Sequence, residues 1–118
     1  VLVTGSRDWW DQDKVWSALW NVYQDYEAYT MTVVHGGCPT GADDFAEQWA
    51  GYHAPEVTSE IHEAEWDEHG KAAGPIRNRE MVQLGADIVL AFPLGESRGT
   101  RNTMQLAEGH GLYVREIK

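Results

Sequence analysis

Six of the nine Lys and Arg residues in this 118-residue chain stand in or beside glycine-bearing segments: Arg7, Lys71, Arg77, Arg79, Arg98 and Arg101. Guanidinium groups gathered around glycines suit oxyanions, because glycine lets backbone N–H groups approach closely and arginine adds a planar fork of donors. The stretch HGGCPTGAD, His35 to Asp43, extends this pattern. Its glycines Gly36, Gly37 and Gly41 lead from an apolar run into helical spacing, so the amides up to Ala42 are expected at a helix N-terminus, where phosphate is favoured. A tight turn that needs positive φ accounts for the same glycines equally well. Carboxylates in these segments are Asp8, Asp43, Glu65 and Glu80. Each could act as acid or base, and each could instead cap a helix or pair with arginine.

Several established chemistries are excluded. In HGGCPTGADD, Asp44 occupies the position where a cysteine-phosphatase loop needs arginine, so Cys38 is read as a small loop residue. Neither G-x-x-x-x-G-K-[ST] nor G-x-G-x-x-G occurs, which removes a Walker-type NTPase and a standard NAD fingerprint. The run HEAEWDEH, residues 62–69, holds two histidines and four carboxylates but lacks the convergent spacing of a metal site. It is read as a solvated acidic loop, and neither a metal nor another cofactor is expected.

The net charge of -10 disfavours duplex nucleic acid and anionic membranes as partners. With no apolar run near the roughly 20 residues of a membrane span, no basic-apolar leader and one cysteine, a soluble cytoplasmic protein is expected. The length corresponds to one domain, residues 1–118.

The elements that must position these groups follow from hydrophobic spacing. Apolar runs bounded by turn residues predict five strands at residues 1–4, 31–35, 60–64, 87–92 and 112–117. Between them, Val15, Leu19, Val22 and Tyr26 mark a first helix with Asp11 as its N-cap. Ala42, Phe45, Ala46, Trp49 and His53 mark a second, with Thr40 and Asp43 spaced as a capping box. A third helix is expected from Pro75 to Gly85, and a fourth from Thr100 to Gly109. Arg77 and Arg79 then fall near the start of the third helix, where the macrodipole disfavours cations unless an anion is close.

Strict alternation of strand and helix predicts an α/β fold: a Rossmann-like three-layer domain of about five mostly parallel strands in the order 3-2-1-4-5. Ligands of such sheets bind beyond the carboxyl ends of the strands. The loops beginning at Gly5, Gly36, Glu65 and Pro93 are therefore the binding face. Trp9 or Trp10 could stack on a base there or cover the sheet edge.

Taken together, VTGSRDW, VVHGGCPTGAD, EWDEHGKAAGPIRNREM and FPLGESRGTRNTM resemble the small SLOG-superfamily proteins related to YspA and YpsA, found in bacteria and phages. The resemblance spans nearly the whole chain in order. It implies a domain that binds a nucleotide or nucleotide-derived ligand, as a sensor or sequestering module, and it suggests a homo-oligomer. The site it implies comprises Gly5, Ser6, Arg7 and Trp9; Gly36, Gly37, Thr40, Gly41 and Asp43; Arg77, Asn78 and Arg79; and Gly99 and Thr100. Distant relatives include the LOG phosphoribohydrolases and the single-strand-binding protein DprA. The LOG glutamate has Asn102 in its place here, and an amide cannot act as a general base. A nucleotide N-glycosidase would need another group, and Glu65, beside Trp66 as in such relatives, and Arg79 are the candidates.

Overall fold

A computed structural model of the chain describes residues 1–27 and 29–118. Strands β1 (Leu2–Gly5), β2 (Met31–His35), β3 (Val57–Ile61), β4 (Val89–Phe92) and β5 (Val114–Glu116) form one sheet in the order β3-β2-β1-β4-β5. Every pairing is parallel, with Leu2 opposite both Val34 and Val89. The helices are α1 (Gln12–Asp25), α2 (Gly41–Tyr52), α3 (Trp66–His69), α4 (Ala73–Gln83) and α5 (Arg98–Gly109), with a 3-10 turn at Gly70–Ala72.

Neighbouring strand residues point to opposite faces, and the chain supplies apolar side chains to both. Val3, Val33, Leu90 and Phe92 meet Val15, Leu19, Ala46 and Trp49 of α1 and α2. Leu2, Val34, Val89 and Val114 meet Met81, Val82 and Ala107 of α4 and α5. These are the three expected layers. Asp11 caps α1, its carboxylate accepting from the Lys14 N–H at 3.2 Å.

Strands β4 and β5 are shorter than the expected 87–92 and 112–117, and three further boundaries differ in ways that bear on the site. The third strand is Val57–Ile61 rather than residues 60–64. It lies at the sheet edge with only Val57 buried, so it lacks an apolar signature, and its register is set by pairing from Met31–Val57 to His35–Ile61. The third helix begins at Ala73, two residues before Pro75, whose missing N–H costs nothing among the free donors of a first turn. Arg77 and Arg79 therefore both sit in the second turn, where the macrodipole no longer bears on them. The fourth helix begins at Arg98, which places Arg98 and Gly99 in its first turn.

The capping box is also rearranged. Thr40 is the N-cap of α2 without a side-chain cap bond; its hydroxyl donates to the Arg7 carbonyl at 2.9 Å. Asp43 turns back into the preceding loop and accepts from the Cys38 N–H at 3.2 Å. No helix among the described residues is long and apolar enough to cross a membrane.

Candidate functional site

Strand order reverses between β1 and β4, and the loops leaving these two strands diverge there. A cleft of about 620 Å³ opens at this point. Three segments form most of its wall: Thr4 to Asp8 after β1, Leu94 to Thr100 before and within α5, and Arg77 with Asn78 on α4; Gly36, Cys38 and Asp43 close it from the β2 side. Of the residues expected at a ligand site, Gly5, Ser6, Arg7, Gly36, Asp43, Arg77, Asn78, Gly99 and Thr100 line this one cleft.

The first wall is built by close backbone approach. The Ser6 N–H donates to the Phe92 carbonyl at 3.0 Å, tying the β1 loop to β4. Gly41, at φ 74°, packs against the Ser6 carbonyl and the Arg7 backbone, and a Cβ there would overlap both. Gly36 has a different neighbour: the Arg77 guanidinium lies directly over its Cα. Arg77 donates from Nη1 to the carbonyls of Gly36 (2.9 Å) and His62 (3.2 Å), and from Nε to Asn78 Oδ1 (2.9 Å). No partner for Nη2 occurs among the described residues. One guanidinium thus joins the loops after β2 and β3 to α4, and it stays half-buried in the cleft wall.

Two amides of HGGCPTGAD are taken from within. Gly37 N–H donates to His35 Nδ1 at 3.0 Å, which leaves the ring proton on Nε2 to reach Glu47 Oε1 at 2.7 Å. The His35 hydrogen bond holds the Glu47 carboxyl below its ordinary pKa. Cys38 N–H is taken by Asp43. The Gly37 and Cys38 donors are therefore not open to a phosphate. The glycines serve the turn: Gly37 and Gly41 have φ of 76° and 74°.

Open donors lie instead at the start of α5. Ser97 precedes it in the left-handed region, φ 42°, and makes no side-chain cap bond. The first backbone bond into the helix is from Arg101 N–H to the Ser97 carbonyl, so the N–H groups ahead of it lack helical partners. Ser97 Oγ is buried without a partner, and Thr100, 4% exposed and on the cleft wall, has no side-chain bond among the described residues. Asn78 Nδ2 (3.4 Å) and Thr103 Oγ1 (3.1 Å) both donate to the Gly99 carbonyl and fix this turn against α4.

Asp43 forms the opposite pole. Burial pushes its carboxyl above the ordinary pKa, an effect only partly offset by His35, the Cys38 N–H and Arg77. A group whose folded pKa is raised destabilises the fold at pH values above it, and the penalty disappears as pH falls. Asp43→Asn retains an acceptor for the Cys38 N–H and removes the charge. It is expected to raise the melting temperature at pH 7, with the gain shrinking toward pH 4, as followed by thermal denaturation across that range.

Six expected residues lie outside the cleft lining. Trp9 is 6% exposed, its ring edge-to-face with Phe92 at a centroid distance of 5.4 Å and its Nε1–H bonded to the Asp11 carbonyl. It belongs to the core, which a run of two adjacent tryptophans could not reveal. Trp10 is 75% exposed and borders a second hollow of about 550 Å³, which shares Leu94 and Gly95 with the first. Gly37, Thr40, Gly41 and Arg79 are the next four: the first three shape the turn, and Arg79 is exposed on α4. Glu65 is exposed as well, near Glu68 and His69, and a hydrogen bond with Glu68 raises its carboxyl pKa. Sequence reasoning missed Ser97, whose left-handed backbone has no signature in an apolar pattern, and Arg98 as a cleft residue.

The family described as YspA, cpYpsA-related SLOG (YAcAr) matches residues 1–69, covering the β1 and β2 loops of the cleft. The Gene 61 protein of Mycobacterium phage D29 is 50% identical over 117 residues, 97% of this chain and 92% of that protein, and so extends the likeness through α4 and α5. No solved structure matches the chain. With its doubly wound sheet and its cleft at the strand-order reversal, the chain belongs to the YspA, cpYpsA-related SLOG family.

Proposed function

We propose that the cleft binds a nucleotide or nucleotide-derived phosphorylated small molecule, and that the domain acts as a sensor or sequestering module. One observation carries this reading: the uncapped start of α5, where the Thr100 hydroxyl and the leading N–H groups have no partner, opens into the cleft. Ser97 Oγ, buried without a partner, costs about 1 to 3 kcal/mol, and a phosphate oxygen placed at this turn satisfies it together with the leading N–H groups while meeting the positive end of the helix dipole. Arg7 and Arg98 border the same region and add charge. Arg98 is held only loosely, 3.7 Å from Glu96 with both side chains exposed, so it is free to turn to a ligand. Family membership supports the nucleotide class. The adjoining hollow bordered by Trp10 offers a ring face for a base.

The reading is checked by thermal denaturation with nucleoside mono-, di- and triphosphates, dinucleotides and ADP-ribose derivatives. A ligand at 100 times its dissociation constant stabilises by about 2.7 kcal/mol, which is about 10 °C for a domain of this size. Thr100→Val, which keeps the shape and removes the hydroxyl, is expected to weaken binding about fivefold to tenfold. No shift with any phosphorylated ligand overturns the reading.

A further inference from the structure

The geometry points to Asp43 as the residue that reads the sugar of the bound molecule, selecting a ligand with free ribose hydroxyls over its deoxy counterpart. This rests on the phosphate reading of α5 given above. The cleft has two unlike ends. At α5 it offers donors and suits an anion. At α2 it offers a carboxylate that is 8% exposed, faces the cleft and is held on its far side by the Cys38 N–H.

What can lie against that carboxylate is narrowed by its neighbours. A second anion is excluded by the charge of Asp43 itself. A cation is opposed by Arg77, which lines the same wall and lowers the Asp43 pKa by its charge. Arg77 makes no ion pair with Asp43; its Nη1 and Nε donate to Gly36, His62 and Asn78. Beyond the backbone N–H groups of Cys38 and Gly36, the carboxylate keeps acceptor capacity that no described side chain uses. A neutral group that donates hydrogen bonds is the remaining chemistry. In a nucleotide whose phosphate sits at α5, the next group along the molecule is the sugar, and its hydroxyls are such donors. The desolvation that raises the carboxyl also strengthens a hydrogen bond formed to it.

The test compares wild-type protein with Asp43→Asn by calorimetry, using the four ribonucleoside 5′-monophosphates, their 2′-deoxy and 3′-deoxy forms, and ribose 5-phosphate. Wild type is expected to bind ribose forms at least about tenfold more tightly than one of the deoxy forms, the loss associated with one hydrogen bond to a charged acceptor. In Asp43→Asn that ratio is expected to fall to within about twofold. Equal binding of ribose and both deoxy forms by wild type overturns the inference and leaves the phosphate reading intact. So does a preference that follows the base and ignores the hydroxyls, or a full ribose preference that survives in folded Asp43→Asn. If none of these molecules binds, the inference falls, and the phosphate reading falls with it only if the wider nucleotide panel also gives no thermal shift. The comparison in wild type does not depend on how the variant folds.

Discussion

Gly41→Ala is expected to lower stability by about 3 kcal/mol or more, a fall of roughly 10 °C or more in melting temperature. Two costs combine. At φ 74° the backbone of residue 41 is left-handed, which costs a residue with Cβ about 1 kcal/mol or more. The added methyl also meets the Ser6 carbonyl and the Arg7 backbone, and neither can move freely. The Ser6 N–H is tied to Phe92, and the Arg7 carbonyl accepts from Thr40. Relief would require the β1 loop to leave the cleft wall, so ligand binding should fall with stability. Gly51→Ala is the matched control within the same helix. No atom lies near its added Cβ, and it is expected to be neutral or to stabilise by up to about 1 kcal/mol. Thermal or urea denaturation of the pair separates the local collision from any general effect of alanine in α2.

Arg77→Met is the second large effect. The methionine fills most of the space of the arginine stem but donates no hydrogen bonds, so the carbonyls of Gly36 and His62 and the Asn78 Oδ1 lose their partner together. Hydrogen bonds to a charged group contribute about 1.5 to 3 kcal/mol, and partial hydration of the freed carbonyls keeps the total near 2 to 4 kcal/mol. The loss has a pH dependence of known sign. Arg77 lowers the Asp43 pKa, so its removal raises an already raised value. Folding of the variant then costs most where Asp43 must be ionised, and its deficit relative to wild type should be larger at pH 8 than at pH 5. A deficit independent of pH would mean that the two side chains are not electrostatically linked. Arg77→Lys is expected to recover little, because one ammonium cannot span two carbonyls and an amide oxygen in the geometry of the fork.

Strand order, layer arrangement and the position of the cleft were legible in the sequence because they depend on apolar alternation and on the rule that parallel sheets bind at their carboxyl edge. Arg7 and Gly36 were legible for the same reason: they fall in loops that follow strands, and Arg77 was legible from the basic run that opens the helix after β3. Residue types alone could not say which donors remain free. HGGCPTGAD has the composition of an anion loop, yet Asp43 and His35 take its Gly37 and Cys38 amides from inside the chain. FPLGESRG holds the open donors, and the feature that leaves them open is the left-handed turn at Ser97, where glycine would be the usual choice. Arg79 was misplaced in its helix for a simple reason. Pro75 is tolerated throughout a first turn, so its position does not fix the helix start.

The two borders of the sheet bear on how the molecule behaves when crowded. The β3 margin presents Thr58 and Glu60 to solvent, and the β5 margin is three residues long with Arg115 in its middle. Charges and brevity at unpaired borders deter strand-to-strand joining between molecules. Concentrated solutions should therefore resist fibre formation through these borders.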